Sequence, residues 1–283
     1  MFKIVNTRTL NEAVRLIEVE APFIAKKIKP GQFIILRIDE TAERVPFTVA
    51  QANPQKGTVT VIFQRVGKTT NRLAELQIGD SIRDFVGPLG TPTDLSGIKK
   101  AAVVGGGLGC AIAYPLAKGL YDSGAVVDII AGFRSRDIVI LEKEMMACAN
   151  RLLICTDDGS YGQKGFVTNV LEEQIKAGAG YDCVIAIGPL IMMKFVSALT
   201  LNYGIKTIVS MNPVMIDGTG MCGCCRITVG GKTKFACVDG PDFDGHQVDF
   251  DGAMKRLSTY KAQERDAYEH YCKMLKAADN CAK

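Results

Sequence analysis

The segment Ala101-Ala-Val-Val-Gly-Gly-Gly-Leu-Gly-Cys110 decides the fold class of this chain. Its first four residues predict a buried β-strand, its glycines predict a tight turn, and the apolar run 111–122 predicts a helix. This order is typical of a nucleotide-binding α/β unit, in which the helix N-terminus attracts a pyrophosphate. Cys110 stands where the third glycine of G-x-G-x-x-G would fall, so the placement of the run is better evidence than its letters.

The same alternation continues along residues 96–213. We expect strands at 126–133, 152–156, 183–187 and 206–209, and helices at 137–149, 165–177 and 189–202. Such a pattern builds a parallel sheet with helices on both faces, which binds ligands at the carboxyl ends of its strands. The candidate nucleotide-binding residues at those ends are Gly105, Gly106, Gly107, Gly109, Arg134, Asp157, Asp158, Gly159, Gly188, Pro189 and Met192.

The N-terminal part predicts short strands at 2–5, 14–19, 33–38, 47–51, 58–66 and 81–85, a spacing that favours a closed or nearly closed antiparallel barrel. Two of its stretches contain groups that can contact a phosphate. Arg44-Val45-Pro46-Phe47-Thr48 opens a strand with a multi-donor cation. Considered alone, this stretch slightly favours the alternative that Arg44 is a solvated edge charge and Phe47 a core residue. Gly67-Lys-Thr-Thr-Asn-Arg-Leu73 places a glycine and hydroxyls before a helix, but it is not a P-loop, because no glycine stands five residues before Gly67.

Four of the ten cysteines lie within sixteen residues, at 222, 224, 225 and 237. Cys222 and Cys225 form a C-x2-C pair, and Cys237 returns after a predicted hairpin. Asp217 is the better candidate for a fourth ligand than Cys224, which is adjacent to Cys225. An iron–sulfur cluster and a structural zinc ion both fit these donors. Ten cysteines without a signal peptide favour a reducing, cytoplasmic setting over a secreted disulfide framework.

The cysteine spacing and the run Ala236-Cys-Val-Asp-Gly-Pro241 resemble the electron-transfer subunits of dihydroorotate dehydrogenase, a branch of the ferredoxin-NADP reductase superfamily. That family has a cysteine where Asp217 stands. The departure resembles a narrower group, the small subunit of NADH-dependent reduced ferredoxin:NADP oxidoreductase, also known as a sulfide dehydrogenase subunit. The resemblance implies an FAD-binding β-barrel at 1–95, an NAD-binding Rossmann-like α/β domain at 96–213, a small 2Fe-2S domain at 214–250 and a helical tail at 251–283.

The resemblance also implies roles for individual residues. Those assigned to FAD are Arg44, Pro46, Phe47, Thr48, Gly67, Thr69, Thr70, Leu73 and Gly87. Arg44 would neutralise the pyrophosphate, Pro46 and Phe47 would pack near the isoalloxazine, and Thr48 would hydrogen-bond its N5/O4 edge. The cluster ligands would be Asp217, Cys222, Cys225 and Cys237. NAD(H) is the implied nucleotide, although Arg134 with Arg136 could hold the 2'-phosphate of NADP(H).

The function implied is that of an oxidoreductase subunit. It would exchange hydride between NADH and FAD and relay single electrons through the cluster to or from a larger flavin and 4Fe-4S subunit, forming a heterodimer. That partner would react with NADPH and ferredoxin in flavin-based electron bifurcation. The alternatives are an electron-transfer subunit of an NAD-dependent dihydroorotate dehydrogenase and a zinc-stabilised, nucleotide-sensing regulator. The net charge of +4 predicts neither a nucleic-acid nor a membrane partner.

Overall fold

The N-terminal part forms one antiparallel, nearly closed barrel. The computed structural model describes the backbone of residues 1–281 and the side chains of residues 1–274. The barrel strands are β1 (Phe2–Thr9), β2 (Val14–Glu20), β3 (Phe33–Arg37), β4 (Val45–Asn53), β5 (Thr58–Gln64), β6 (Ser81–Ile82) and β7 (Asp84–Leu89), and its helices are α1 (Pro22–Ala25) and α2 (Lys68–Glu75). They pair in the order β6-β1-β2-β5-β4-β3-β7. Ile17 of β2, Phe63 of β5 and Leu73 of α2 are buried together inside and form part of the barrel core.

The remaining strands build a second sheet and a hairpin. They are β8 (Lys100–Gly106), β9 (Val126–Phe133), β10 (Arg151–Thr156), β11 (Gln163–Lys164), β12 (Cys183–Ile187), β13 (Lys206–Ser210), β14 (Arg226–Val229), β15 (Lys232–Phe235) and β16 (Asp242–Asp244). The sheet order is β11-β10-β9-β8-β12-β13-β16, with β16 antiparallel at the edge. The chain leaves β8 toward β9 and later returns to β12 on its other side. This topological switch opens a crevice at the carboxyl ends of β8 and β12.

Helices cover both faces of this sheet, as the sequence predicted. They are α3 (Gly109–Asp122), α4 (Glu142–Met146), α5 (Val167–Lys176) and α6 (Leu190–Asn202). The single helix predicted at 137–149 is wrong. A 3₁₀ turn at Arg136–Ile138 is followed by Leu141 in the left-handed region (φ 56°) before α4 begins. Ile140 and Leu141 are both buried in this irregular segment, so tertiary packing determines the backbone here.

The C-terminal part contains two helices, α7 (Phe250–Leu257) and α8 (Lys261–Cys281), where the sequence predicted one broadly helical run. Phe250 and Ala253 pack into the core beside the β14–β15 hairpin, so α7 is less polar in its contacts than its composition suggests. The Tyr271 hydroxyl donates to Glu75 Oε1 at 3.0 Å, which lays α8 on α2. The side chain of Leu275 and residues 282 and 283, included in the predicted tail, lie outside the described residues.

Cys110, Cys148, Cys155 and Cys183 are buried in apolar surroundings, where a free cysteine packs as a small hydrophobic residue. Among the helices of the described residues, none combines the length and the apolar character required to cross a membrane.

Candidate functional site

A cleft of about 1120 Å³ lies between the barrel and the parallel sheet. It is lined by the start of β4, the approach to α2 and the carboxyl ends of β8, β9, β10, β12 and β13. The predicted residues that line it are Pro46, Phe47, Thr48, Thr70, Gly106, Gly107, Gly109, Arg134, Asp157, Gly188, Pro189 and Met192. The structure therefore brings the two predicted cofactor regions into one space, which is larger than a pocket for a single small ligand.

The other predicted cofactor residues do not line this cleft; they are Arg44, Gly67, Thr69, Leu73, Gly87, Gly105, Asp158 and Gly159. Leu73 is a core residue of the barrel. The Thr69 hydroxyl donates to the Glu43 carboxylate, and Arg44 Nε donates to the carbonyl oxygen of Ile216 at 2.8 Å. These side chains have protein partners of their own, and their contact with a cofactor stays a prediction.

The barrel side of the cleft is built by β4 and α2. Thr48 pairs with Phe33 of β3, and the Phe47 ring lies 5.8 Å from the Phe63 ring, so both are fixed in half-buried positions. The Thr70 hydroxyl oxygen accepts the backbone N–H groups of Val66 and Gly67, each at 3.0 Å. Thr70 therefore shapes the start of α2, whose first-turn amides then form the anion-attracting end of the helix.

The nucleotide side depends on glycine at close approaches. A Cβ on Gly109 would lie 2.2 Å from the carbonyl oxygen of Ile187, and one on Gly106 would lie 2.5 Å from Met192 Sδ. Gly107 has φ +56°, a left-handed conformation that glycine adopts without strain. The loops that follow β8 and β12 therefore touch each other, and together they place a helix N-terminus at the crevice.

The two arginines after β9 are separated by the fold. Arg134 lines the cleft together with Asp157, whereas Arg136 does not. The Arg136 guanidinium lies 5.3 Å from the centre of the Tyr161 ring, and the Tyr161 hydroxyl donates to Glu142 Oε1 at 2.7 Å. The basic pair predicted as a possible site for a 2'-phosphate is therefore not assembled.

Sequence analysis missed one wall of the cleft. The segment after β13 contributes Met211, Asn212, Pro213 and Met215, and Pro241 lies beside it. The rule that ligands bind at the carboxyl ends of parallel strands could have identified this segment, because it follows the last parallel strand. The exposed aromatic rings of Phe166 and Phe195 at the cleft carry no such signal, because apolar residues of α5 and α6 normally indicate packing.

The four predicted metal ligands lie in two close pairs. Cys225 Sγ and Cys237 Sγ are 3.2 Å apart and buried, and Cys222 Sγ lies 3.3 Å from Asp217 Oδ1 nearer the surface. Burial raises the pKa of Asp217, but the backbone N–H groups of Thr219 and Cys222 outweigh this effect and hold it at about 2. In the part of the chain that the structure describes, no three such donors converge on one metal ion.

The buried pair has a further chemical property. Burial, and then the hydrogen bond with Cys225, raises the pKa of the Cys237 thiol to about 12. Metal binding at this pair must therefore release a proton, as it does wherever a thiol becomes a thiolate ligand. Cys224 is not in either pair; its carbonyl oxygen accepts from Arg256 Nη2 of α7 at 3.2 Å.

Comparison with known families identifies the class of protein. Residues 1–93 match the oxidoreductase FAD-binding domain, and residues 212–249 match the iron-sulfur cluster binding domain of dihydroorotate dehydrogenase B. The chain is thus a flavin- and iron–sulfur-dependent oxidoreductase subunit with a ferredoxin reductase-like fold. The predicted fold class is confirmed, as are FAD and an iron–sulfur cluster as cofactors.

Individual relatives define the family. The chain is 42% identical to the dihydroorotate dehydrogenase B (NAD(+)) electron transfer subunit homolog of Thermotoga maritima, over 93% of this chain and 96% of that protein. It is 49% identical to an uncharacterized protein in the adh 3' region of Clostridium beijerinckii, over 94% and 93% of the two chains. The chain belongs to the family of dihydroorotate dehydrogenase B electron transfer subunits and their homologues, and the predicted resemblance is confirmed.

A solved structure gives the same result. A chain of the NADH-dependent reduced ferredoxin-NADP oxidoreductase, studied for flavin-based electron bifurcation, superposes with a TM-score of 0.91 at 40% identity. The match covers 96% of this chain and 98% of that one. The two chains therefore share the same overall fold.

Proposed function

We propose that this chain exchanges hydride between NADH and FAD and relays single electrons through a 2Fe-2S cluster to or from a larger flavin and 4Fe-4S subunit. One observation carries the proposal. The segment 211–215 lines the cleft shared by the flavin strand and the nucleotide loops, and two residues further on it reaches Asp217. This short connection supports a path from a flavin in the cleft to a cluster at Asp217, as the proposed electron transfer requires.

The protein's part in this chemistry is positioning. A bound flavin supplies the conversion between a two-electron hydride and one-electron steps. Among the residues that the structure describes, the lining of the cleft contains three titratable side chains, those of Arg134, Asp157 and the buried Cys155. We assign none of them as a general acid or base. Phe33, Pro46 and Met215 instead provide apolar walls that exclude water from the reacting rings.

The nucleotide assigned to the cleft is NADH. Its adenosine end would meet Arg134 and Asp157, while Arg136 is engaged by Tyr161 outside the cleft. A carboxylate can accept a hydrogen bond from a ribose 2'-hydroxyl, and it repels a 2'-phosphate. The name of the Thermotoga maritima relative, which contains NAD(+), supports the same assignment.

The cluster would be held by its two donor pairs, Asp217 with Cys222 and Cys225 with Cys237. Two terminal ligands on each of two irons match the arrangement of the pairs. A single zinc ion with four ligands would need all of the donors to converge, so the regulator alternative has less support. The nine cysteines that the structure describes carry no disulfide, which supports a reducing, cytoplasmic compartment.

The larger partner would react with NADPH and ferredoxin, and the heterodimer would perform flavin-based electron bifurcation. The solved oxidoreductase that shares this fold supports this choice. The loop of residues 217–225, here called the cluster loop, contains the four predicted ligands except Cys237. Ile216, Met221 and Val238 are exposed apolar residues in or beside this loop, and they support contact with a partner. The competing partner is a dihydroorotate dehydrogenase, which the names of other relatives favour.

Anaerobic purification from the native host tests the proposal. We expect about two irons and one FAD per chain, a larger iron-rich flavoprotein in the same fraction, and bleaching by NADH in preference to NADPH. Co-elution of a dihydroorotate dehydrogenase would show instead that the chain is the electron-transfer subunit of that enzyme. A colourless zinc protein without flavin would contradict the electron-transfer function altogether.

A further inference from the structure

The barrel holds the residue that precedes the predicted ligand Asp217. Arg44 Nε donates to the carbonyl oxygen of Ile216 at 2.8 Å, across 172 positions of sequence. Arg44 immediately precedes β4, whose residues Pro46, Phe47 and Thr48 line the cleft. A single side chain therefore connects the start of the flavin strand with the cluster loop.

The barrel also holds the residue that follows Asp217. Gly218 is buried, and a Cβ at this position would lie 2.7 Å from Leu89 Cδ1 and 2.9 Å from Ile35 Cδ1. Its φ of +80° lies in the left-handed region, so only glycine fits here without strain. Leu89 of β7 and Ile35 of β3 thus pack closely against the backbone of the cluster loop.

The second donor pair has a different support. Cys225 and Cys237 flank the β14–β15 hairpin, which packs with α7, and Arg256 of α7 binds the carbonyl of Cys224. The Asp217–Cys222 pair is held by barrel contacts on both sides of Asp217. The Cys225–Cys237 pair is held by the hairpin and α7, and the next residue, Val238, accepts a hydrogen bond from Thr91 Oγ1 at 2.9 Å. The barrel contacts beside Asp217 therefore help to set the position of one pair relative to the other.

We propose that Arg44 is a positioning residue that fixes the Asp217 end of the cluster loop to the flavin-binding barrel. The expected effect of Arg44 on electron transfer rests on the proposed function, whereas its expected effect on the cluster does not. It differs from the pyrophosphate role predicted from the sequence. The Nε–H group is already bonded to Ile216, and a guanidinium has further N–H donors that an anion could use.

The test compares Arg44→Met and Arg44→Lys with the wild type in the native complex. Arg83→Met is the matched control, because Arg83 is another partly exposed barrel arginine, ion-paired with Glu40 at 2.8 Å. The readouts are the EPR spectrum of the reduced cluster, the rate of iron loss to EDTA, bound FAD, and the separate rates of flavin and cluster reduction after mixing with NADH.

For Arg44→Met we expect an altered EPR spectrum, iron loss about tenfold faster and cluster reduction about tenfold slower, since one charge-assisted hydrogen bond is lost. Arg83→Met should match the wild type in all four readouts. Partial rescue by Arg44→Lys, which keeps a cationic donor, would support the positioning role.

Wild-type EPR and iron loss in Arg44→Met would overturn the proposal. So would loss of FAD with unchanged iron loss, because Arg44 would then serve only the pyrophosphate. If Arg44→Met does not fold, Gly218→Ala disturbs the same loop from its other side and should accelerate iron loss while FAD remains bound; normal iron loss in this variant would contradict the proposal. Failure of NADH to reduce the wild-type protein would contradict the proposed function alone, because the EPR and iron-loss readouts do not need NADH.

Discussion

The sulfur atoms of Cys225 and Cys237 lie 3.2 Å apart, although a complete β-hairpin separates the two residues in the chain. The antiparallel pairing of β14 with β15 returns the chain to its starting point and so brings the thiols together. Cys224 is adjacent to Cys225 in sequence but belongs to neither donor pair. The hairpin therefore places Cys225, and not its neighbour Cys224, beside Cys237. The spacing of the cysteines in the sequence could not decide between these two.

We expect Cys237→Ser to lose the cluster and Cys224→Ser to keep it. A serine hydroxyl is a much poorer iron ligand than a thiolate, and Cys237 is the thiol that lies beside Cys225. Iron content should fall from about two per chain to near zero in Cys237→Ser only. Iron loss in Cys224→Ser with retention in Cys237→Ser would show that the pairs are wrongly assigned.

Asp217→Ala should weaken the cluster, whereas Asp217→Cys should retain it with a changed EPR spectrum. The carboxylate accepts N–H groups from Thr219 and Cys222, so alanine removes both a ligand and the loop's internal hydrogen bonds. A thiolate restores the ligand but donates more electron density to the iron. Unchanged iron content and visible spectrum in Asp217→Ala would exclude Asp217 as the fourth ligand.

Asp157→Asn should increase the use of NADPH. Removal of the carboxylate removes the like-charge repulsion of a 2'-phosphate, so we expect kcat/KM for NADPH to rise about tenfold. We expect kcat/KM for NADH to fall, by a factor smaller than about ten. Adding Tyr161→Leu should increase NADPH use further, because Arg136 would lose the ring that holds it outside the cleft. Steady-state kinetics with both nucleotides measures the effect. Equal changes for NADH and NADPH would contradict a role in selectivity.

Two glycines of one loop should respond differently to alanine. Gly109→Ala places a Cβ 2.2 Å from the carbonyl oxygen of Ile187, so the loops after β8 and β12 must separate. Gly107→Ala meets nothing within 4 Å and costs only its left-handed conformation, about 1–2 kcal/mol. We expect Gly109→Ala to raise the KM for NADH far more, with Gly107→Ala as its control. Similar kinetics in the two variants would contradict the close contact.

The order of the three structural units could be predicted from the sequence because each has a local signature. The parallel sheet follows from the buried strand at Ala101 and its glycine run, and the cluster loop follows from the spacing of Asp217, Cys222 and Cys225. The strand-end rule predicted most of the loops of the parallel sheet that line the cleft. These features depend on neighbours in the chain, which the sequence displays directly.

The rest depends on contacts between distant residues. Arg44 carries the letters of an anion-binding motif, but its hydrogen bond to Ile216 crosses 172 positions and has no sequence signal. The sequence also predicts that Arg136 could hold a 2'-phosphate together with Arg134. In the fold, Arg136 lies against the Tyr161 ring instead, a contact that has no signal in the sequence. Leu141 interrupts a periodic helical pattern because tertiary burial outweighs local propensity there.

Asp242 is another residue whose environment only the fold reveals. It lies in β16 at the edge of the parallel sheet, where the Thr93 hydroxyl donates to Oδ2. Oδ1 is buried and has no hydrogen-bond partner among the described residues. Burial raises the pKa of this carboxyl from 3.8 to about 6, and hydrogen bonds from Ser210 and Thr93 offset the rise only in part.

Because the folded-state pKa is raised, Asp242 favours the folded state while it is protonated, and this stability is lost as the pH rises through about 6. At 1.36 kcal/mol per pKa unit the loss approaches roughly 3 kcal/mol, of which about 1.4 falls between about pH 5 and pH 8. Asp242→Asn cannot ionise, so its unfolding free energy relative to wild type should improve by about 1.4 kcal/mol across that interval, less any pH-independent cost of an unpaired amide. Anaerobic chemical denaturation with excess FAD measures this difference.

Asp94→Asn is the control. Hydrogen bonds from Ser96 lower the pKa of Asp94, so removing this carboxylate cannot reduce a loss of folding stability at rising pH. A pH-independent difference between wild type and Asp242→Asn would mean that the buried carboxyl ionises in the folded protein as readily as in the unfolded chain.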